Sequence, residues 1–203
     1  MGQYYTPIIG NDNVKSPIKR EIDGNYVLAK LMEHSWWFND FVNAVSEMLY
    51  KNPQRLAWVG DYADDYATGS TAPDGQLSLA SETSTAQIAL RFEEVYGKDV
   101  SELTGLKTTA FNLNDKYFVN HDTKEYLDCN KYYKRCLAED EYCIHPVSLL
   151  TAVGNGYGGG DFSYPKEESQ LADVGKWTWN LLSIEDEVPT GYNEVEYSFI
   201  EER

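Results

Sequence analysis

The first strong pattern in the chain is an apolar stripe at helical spacing between Ser35 and Asn52. Apolar side chains recur there every three or four residues, which places them on one face of an α-helix. Ser35 is of a type that caps helix N-termini, and Asn52 followed by Pro53 ends the pattern. The segment therefore predicts a first helix, with a buried stripe made of Phe38, Phe41, Val42, Val45, Met48 and Leu49.

Two further segments have a weaker helical pattern. Residues 85–96 carry Ile88, Phe92 and Val95 on one stripe. They are followed by Gly97, the residue type that is common just past a helix end. Residues 130–138 are predicted to form another short helix.

Short apolar runs separated by turn residues predict a set of strands. Residues 1–30 are expected to form an opening hairpin, with its turn at Asp23-Gly24 or Gly24-Asn25. A second hairpin is predicted where two apolar runs, 117–119 and 125–127, flank a polar turn. Single strands are predicted at 55–59, 147–153, 174–179 and 194–200.

These elements fit one domain. A chain of 203 residues is long enough to bury a real core. Strands with a few separate helices indicate an α+β fold, here a single domain over residues 1–203 with a mostly antiparallel sheet and two to three helices. The polar residues 66–83, rich in Gly, Pro and Ser, are expected to form a mobile loop.

The net charge narrows the choice of partners. Lys and Arg number 17 and Asp and Glu 33, a net charge of −16. Such a surface repels nucleic acids and anionic membranes, because phosphate binding needs Lys and Arg, and it attracts basic partners. Solubility in a salty cytoplasm is the competing explanation. The sequence shows no membrane span and no signal peptide, so a cytoplasmic protein is expected.

The three cysteines, Cys129, Cys136 and Cys143, are spaced seven residues apart. An odd number without a close pair argues against a disulfide framework and favours a reducing compartment. The spacing would put all three on one face of a helix if one helix ran through them. Nearby histidines suggest zinc, but no Cys-x-x-Cys occurs, so ordinary buried cysteines are the expectation.

An Asp-rich segment and a glycine-rich loop are the main polar candidates for a binding site. Asp61, Asp64 and Asp65 follow the strand at 55–59 directly, and five glycines between 154 and 160 precede Asp161. Glycine lets a backbone turn sharply or approach another molecule. The carboxylates of Asp61, Asp64 and Asp161 are donors that Mg²⁺ or Ca²⁺ would take. A solvated acidic turn is the commoner origin of such a cluster, and we expect no bound cofactor.

Tryptophans and histidines supply the remaining candidates. Trp36 and Trp37 follow His34 and form either a stacking platform for a base or sugar or part of the core. His145 lies in an apolar setting and is interpreted as structural, whereas His121 lies at a hairpin tip where a catalytic group would lack support. The predicted binding residues are Trp36, Trp37, Trp58, Asp61, Tyr62, Asp64, Asp65, Gly156, Tyr157, Gly158 and Asp161.

No complete catalytic constellation is visible. Gly-x-Ser-x-Gly does not occur, and the glycine loop lacks the Lys and Ser or Thr of a nucleotide-binding phosphate loop. Binding is therefore the better expectation than catalysis.

Several short motifs are spread from residue 1 to about residue 180. They are Gly-Gln-Tyr-Tyr (2–5), His-Ser-Trp (34–36), Trp-Val-Gly-Asp-Tyr-Ala-Asp (58–64), Asn-His-Asp-x-Lys-Glu-Tyr (120–126), Ile-His-Pro (144–146) and Gly-Asn-Gly-x-Gly-Gly-Gly-Asp (154–161). In combination they resemble a group of small proteins from phages, prophages and gut or soil Firmicutes. The resemblance transfers no catalytic role; it implies a bacterial or phage cytoplasm and a role in phage–host interaction. Tyr157 stands where this resemblance leads us to expect a basic residue.

Charge and resemblance lead to one functional hypothesis and one alternative. The first is an acidic protein of a mobile element that binds a basic host protein, for example a CRISPR or other defence nuclease, and inhibits it by mimicking nucleic acid. The alternative is a protein for a small ligand or nucleotide, or a metal-assisted hydrolase, with a pocket between the 61–65 cluster and the glycine loop. A monomer or small homo-oligomer is expected in either case.

Overall fold

A mixed β-sheet runs through the part of the chain that the computed structural model describes, residues 5–11, 16–19, 35–60, 111–139, 143–153 and 173–197. In these residues the sheet has eight strands, in the order β2-β1-β3-β7-β4-β5-β8, with β6 paired to β3. The pairings β3–β6 and β5–β8 are parallel and the others antiparallel. The strands are β1 (Tyr5–Asn11), β2 (Ser16–Lys19), β3 (Gln54–Gly60), β4 (Tyr117–Asn120), β5 (Glu125–Asp128), β6 (Ala152–Val153), β7 (Leu181–Glu185) and β8 (Asn193–Glu194).

Three helices accompany the sheet in the described residues: α1 (Asp40–Leu49), α2 (Cys129–Glu139) and α3 (Pro146–Leu150). The predicted α+β class, with one domain and a mostly antiparallel sheet, is confirmed. The predicted hairpin at 117–127 is present as β4–β5. Within residues 1–30, where an opening hairpin was predicted, β1 and β2 pair antiparallel. β1 ends at Asn11 and β2 begins at Ser16. The predicted turn residues Asp23, Gly24 and Asn25 lie outside the described residues.

The first helix begins later than its apolar stripe suggested. Asn39 is its cap, because the Asn39 side-chain oxygen accepts a hydrogen bond from the Val42 amide at 3.1 Å. Ser35 was predicted in this role, but it is buried and its carbonyl accepts the His145 amide at 2.7 Å. Ser35 therefore belongs to the connection between this segment and α3.

Two predicted strands are wrong. Residues 147–153 form α3 followed by the two-residue strand β6, because Pro146 starts a helix and His145 caps it by accepting the Val147 amide. Residues 174–179 are a series of turns, in which Gly175 and Trp179 have positive φ angles of 73° and 59°. The predicted last strand at 194–200 is limited to β8 in the described residues.

The two strands β6 and β7 share one edge of β3. β7 pairs with Gln54 and Arg55, and β6 pairs in parallel with the following residues Trp58 and Val59. The turn segment 173–180 lies beside this junction, where the Trp179 amide donates to the Leu56 carbonyl at 2.7 Å and the Trp177 amide to the Leu150 carbonyl at 2.7 Å. Backbone bonds therefore hold this edge together although neither strand covers it completely.

The core lies between the sheet and the helices. Apolar side chains from α1, α3 and the central strands are fully buried there together with large aromatic rings, and removal of such side chains from water is the main stabilising term in folding. The largest of these side chains are Trp37, Trp58, Trp177, Trp179, Tyr5, Tyr132, Phe118, Leu49 and Leu56. The predicted helix at 85–96 and the predicted loop at 66–83 lie outside the described residues.

Candidate functional site

Two aromatic side chains on the segment before α1 are exposed to solvent. Trp36 is 48% exposed and Phe38 is 64% exposed, whereas Trp37 between them is 2% exposed. We call Trp36 and Phe38 the aromatic pair. Large apolar side chains usually bury most of their surface, so two exposed ones on one short segment are unusual.

The backbone that carries the aromatic pair is fixed to the core. Trp36 forms a β-bridge with Ile144, and the Trp37 amide donates to the Cys143 carbonyl at 2.8 Å. The Trp37 ring stacks on Tyr133 of α2 with a centroid distance of 4.7 Å. The exposed Phe38 ring meets the same Tyr133 edge-on at 5.8 Å. The pair is therefore presented from a backbone that is bonded to residues 143 and 144 just before α1 begins.

His145 supports this segment from within. It is fully buried, and burial lowers its pKa to about 3. Its Nδ1 accepts the Val147 amide at 3.3 Å, so Nε2 carries the proton and donates to the Asn43 side-chain oxygen at 3.3 Å. The Asn43 side-chain nitrogen donates in turn to the Trp37 carbonyl at 3.1 Å. His145 is thus a neutral structural histidine, as the sequence indicated.

His121 has more support than its hairpin position suggested. Its ring nitrogens contact the Tyr192 hydroxyl at 3.0 Å and the Ser183 hydroxyl at 2.8 Å. The Ser183 hydroxyl donates to Glu185 at 2.6 Å, so its oxygen accepts from His121 Nε2 and Tyr192 donates to Nδ1. Burial lowers the pKa of His121, with Glu185 and Asp122 acting in the opposite direction. Ser183 is buried and its hydroxyl proton is directed to a carboxylate. The hydrogen bonds among Tyr192, His121 and Ser183 are therefore structural, and Ser183 is not a nucleophile with His121 as its base.

Asp122 links the turn of the β4–β5 hairpin to the neighbouring strands. One of its oxygens accepts from the Arg55 guanidinium at 2.9 Å and from the Leu181 amide at 3.1 Å. Arg55 also donates to the Trp179 carbonyl at 2.8 Å. The two side chains are 17% and 31% exposed, so solvent screens the ion pair only in part.

Negative charge is unevenly distributed along the sequence. The described residues contain nine Lys and Arg and thirteen Asp and Glu, which gives them a net charge of −4. The rest of the chain therefore carries −12 of the total net charge of −16. Within the described part, 185–196 has five acidic residues and no basic one. Four bases of the same chain pair with that segment: Lys51 and Lys116 with Asp186, Lys131 with Glu194, and Arg135 with Glu196.

The strands that lead into the Asp-rich segment and the glycine loop are parallel neighbours. Val59 of β3 is the register partner of Val153 of β6. Each strand runs toward the sequence that was predicted to bind a ligand, since 61–65 follows β3 and 154–161 follows β6. Crevices beyond the carboxyl ends of parallel strands are common ligand sites in sheet proteins.

The predicted binding residues therefore fall into three groups. Trp36 is exposed. Trp37 and Trp58 are 2% and 0% exposed, so they are core residues and offer no open stacking surface. The remaining predicted residues lie outside the described part of the chain: Asp61, Tyr62, Asp64, Asp65, Gly156, Tyr157, Gly158 and Asp161. Phe38 belongs to the predicted buried stripe of the first helix but is exposed, and no signal in the sequence indicates this.

The described residues contain neither a cluster of metal-ligating side chains nor a membrane-spanning helix. No three His, Cys, Asp or Glu side chains come together there as potential metal ligands. No helix among these residues has the length and apolar character needed to cross a bilayer.

The described residues thus form an α+β fold with two exposed aromatic side chains on one short segment. The sequence matches no protein-family model, no curated protein and no solved structure.

Proposed function

We propose that this chain works by binding another protein, and that the aromatic pair Trp36 and Phe38 provides the apolar anchors of the interface. The observation that carries the proposal is the contrast within one segment: Trp36 and Phe38 are 48% and 64% exposed, and Trp37 between them is buried. Trp is among the residue types enriched at the energetic centres of protein interfaces.

The hydrogen bonds around the pair support this role. A binding residue on a rigid backbone loses less conformational freedom on association than one on a free loop. The bonds from the Trp37 amide to Cys143 and from the His145 amide to Ser35 provide such a backbone on either side of Trp36. Phe38 is further limited by its contact with Tyr133.

The charge of the whole molecule favours a basic partner. A net charge of −16 attracts positively charged proteins over distances longer than direct contacts. Together with the resemblance to proteins of phages and prophages, it favours a host protein that binds nucleic acid, such as a defence nuclease. In this proposal the acidic exterior competes with nucleic acid for the same basic surface.

Co-precipitation from a bacterial lysate at low ionic strength tests the proposal. We expect the full chain to recover a basic, nucleic-acid-binding protein that is released by salt and displaced by added DNA or RNA. Substituting both anchors, Trp36→Ala with Phe38→Ala, should weaken the purified complex about thirtyfold, since truncating an interface centre costs about 2 kcal/mol.

The control variant is Thr190→Ala, which changes an exposed residue that lies outside the aromatic segment. It should bind as the native chain does. Recovery of no basic protein at low ionic strength, or equal binding by the double variant and the control, would count against the proposal.

A second candidate function is favoured by the register of β3 and β6. Val59 and Val153 are partners in the parallel pairing of β3 and β6. The Asp-rich segment and the glycine loop therefore follow neighbouring strands. We propose as the alternative that these segments take a small anionic ligand or nucleotide together with Mg²⁺ or Ca²⁺. The carboxylates would hold the cation and glycine backbone amides the anion.

Thermal unfolding with a panel of divalent cations and nucleotides separates the two functions. A ligand present at a hundredfold its dissociation constant should raise the free energy of unfolding by about 2.7 kcal/mol. The rise should be lost in the variant Asp61→Asn with Asp64→Asn and kept in Trp36→Ala. A panel without any shift in the native chain would remove this alternative.

A further inference from the structure

Residues 186–192, which we call the strap, connect β7 to β8 across two other strands. β4 and β5 lie between β7 and β8 in the sheet, and β7 and β8 run in the same direction. Glu185 pairs with Tyr117 at one end of β4, whereas Asn193 pairs with Glu125 beside the other end. A connection between parallel strands has to return along the sheet. The strap therefore crosses one face of β4 and β5.

The strap crosses the face that points away from the main core. Phe118 of β4 belongs to the core cluster. Side chains alternate along a strand, so Val119 points to the opposite face. Val119 is nevertheless fully buried, and so is its register partner Ser183. Tyr192 of the strap reaches this same face, where its hydroxyl donates to His121 at 3.0 Å.

Few bonds attach the strap to the strands beneath it. Among the described residues its backbone makes one hydrogen bond, from the Tyr192 amide to the Pro189 carbonyl at 3.3 Å, and that bond lies within the strap. Val188 and Pro189 in its middle are half-buried. Segments with so few bonds open at a lower free energy than the whole fold.

The first residue of the strap carries its main attachment. The Asp186 carboxylate accepts from the Lys51 ammonium at 2.6 Å, from the Lys116 ammonium at 3.0 Å and from the Tyr50 hydroxyl at 2.7 Å. At the other end the side-chain attachment is the single hydrogen bond to His121. Asp186 therefore controls one end of the strap through three donors.

We propose that the strap is a lid over the outer face of β4 and β5, and that Asp186 is its latch. When the Asp186 contacts are broken or screened by salt, residues 186–192 lift as a unit while the sheet stays folded. Lifting uncovers Val119 and its β5 partner Tyr126. The proposal is independent of the partner binding proposed above.

The latch is sensitive to salt, and the sheet beneath it is not held by the same contacts. The Lys51 and Asp186 side chains are 56% and 40% exposed, so dissolved ions weaken their attraction. The pairings of β4 with β5 and with β7 do not involve residues of the strap. Screening of the latch therefore acts on the lid first.

A cysteine placed under the lid reports its opening. Val119→Cys puts a thiol on the covered face, and Leu127→Cys puts a matched thiol in the main core, where Leu127 is 1% exposed. Each is combined with Asp186→Ala, which removes the latch, or with Glu187→Ala. Glu187 is the neighbouring exposed carboxylate and forms no ion pair in the described residues. Labelling by N-ethylmaleimide under native conditions is followed at each cysteine by peptide mass spectrometry.

The thiol under the lid should respond to the latch. Val119→Cys should be labelled about tenfold faster with Asp186→Ala than with Glu187→Ala, because several surface contacts are lost at once. Raising NaCl from about 0.05 M to about 0.5 M should speed labelling with Glu187→Ala and have little effect with Asp186→Ala. Leu127→Cys should be labelled slowly and at the same rate in both backgrounds.

Equal labelling of Val119→Cys in the two backgrounds would overturn the proposal. So would an equal rise at Leu127→Cys, because it would mean that the whole domain unfolds.

The native chain decides the question if a cysteine variant fails to fold. Diethyl pyrocarbonate acylates accessible histidine nitrogens. His121 should react several-fold faster at the higher salt concentration, whereas the fully buried His145 should not change. A rate at His121 that does not depend on salt would refute the lid.

Discussion

Gly175 lies directly against the carbonyl oxygen of Ala152, with no room for a side chain between them. A Cβ at Gly175 would overlap that oxygen, and the residue has a positive φ of 73°. The Gly175 amide donates to the Leu149 carbonyl at 2.8 Å, and the Thr178 hydroxyl donates to the same Ala152 oxygen at 3.2 Å. Through this contact the turn segment 173–180 packs against α3 and β6.

Gly175→Ala is expected to destabilise the protein strongly. An L-residue in the left-handed region costs about 1 kcal/mol, and relief of the overlap requires movement of backbone. We expect a loss of about 3 kcal/mol in the free energy of unfolding, measured by urea denaturation with circular dichroism.

Gly191→Ala is the matched control for that substitution. Gly191 also has a positive φ, of 84°, but a Cβ there would meet no atom within 4 Å. The control should lose only the backbone cost of about 1 kcal/mol. Equal losses in the two variants would show that the contact with Ala152 contributes nothing.

Acid should destabilise the fold through His145. Its pKa is about 3 in the folded state and about 6.5 in an unfolded chain, so the unfolded state binds the proton first as the pH falls. Stability is therefore unaffected above about pH 6.5 and falls below it, by about 2 kcal/mol between pH 7 and pH 5. Urea denaturation at the two pH values measures the difference.

The variant His145→Asn separates this effect from other groups. Asparagine retains a side-chain oxygen for the Val147 amide and does not titrate. It should lower stability at pH 7 and remove about 2 kcal/mol of the pH dependence. If the variant kept the native dependence of stability on pH, the loss of stability in acid would come from another group. The first candidate is His121, whose pKa is also lowered by burial.

The bond between Arg55 and Asp122 is expected to stabilise the junction of β3, β7 and the β4–β5 turn. Asp122→Ala removes the acceptor of the guanidinium and of the Leu181 amide. We expect a loss of about 2 kcal/mol in the free energy of unfolding. A double-mutant cycle with Arg55→Ala should give a coupling energy of about 1 kcal/mol.

Lys176 and Asp173 form the control pair for this cycle. Their ion pair is 3.3 Å long, links positions three residues apart, and has side chains that are 48% and 28% exposed. Its coupling energy should be about 0.3 kcal/mol. A coupling energy between Arg55 and Asp122 no larger than that of the control pair would mean that their contact is an ordinary surface ion pair.

The fold could be predicted where local signals were strong. The period of the α1 stripe and the polar turn between 119 and 125 each define an element without help from distant residues. The errors at 147–153 and 174–179 have a tertiary origin. His145 caps a helix that is only five residues long, and the turns depend on backbone bonds from Trp177 and Trp179 to α3 and β3.

The candidate site was predictable only in part. Trp36 was identified from its residue type, but sequence does not show which of two adjacent tryptophans points outward. Trp37 is turned inward by its stacking on Tyr133, about a hundred residues away in the chain. Likewise, the support of His121 comes from Ser183 and Tyr192, whose approach depends on the order of strands in the sheet.

Trp36 also gives this protein a built-in optical reporter. All five tryptophans lie in the described residues, and the other four are at most 2% exposed. A dissolved quencher such as iodide should therefore extinguish the emission of Trp36 and leave that of the remaining indoles almost untouched. Covering of this one ring by any binding partner would then be visible as a loss of quenching, in an unlabelled sample and without a substitution.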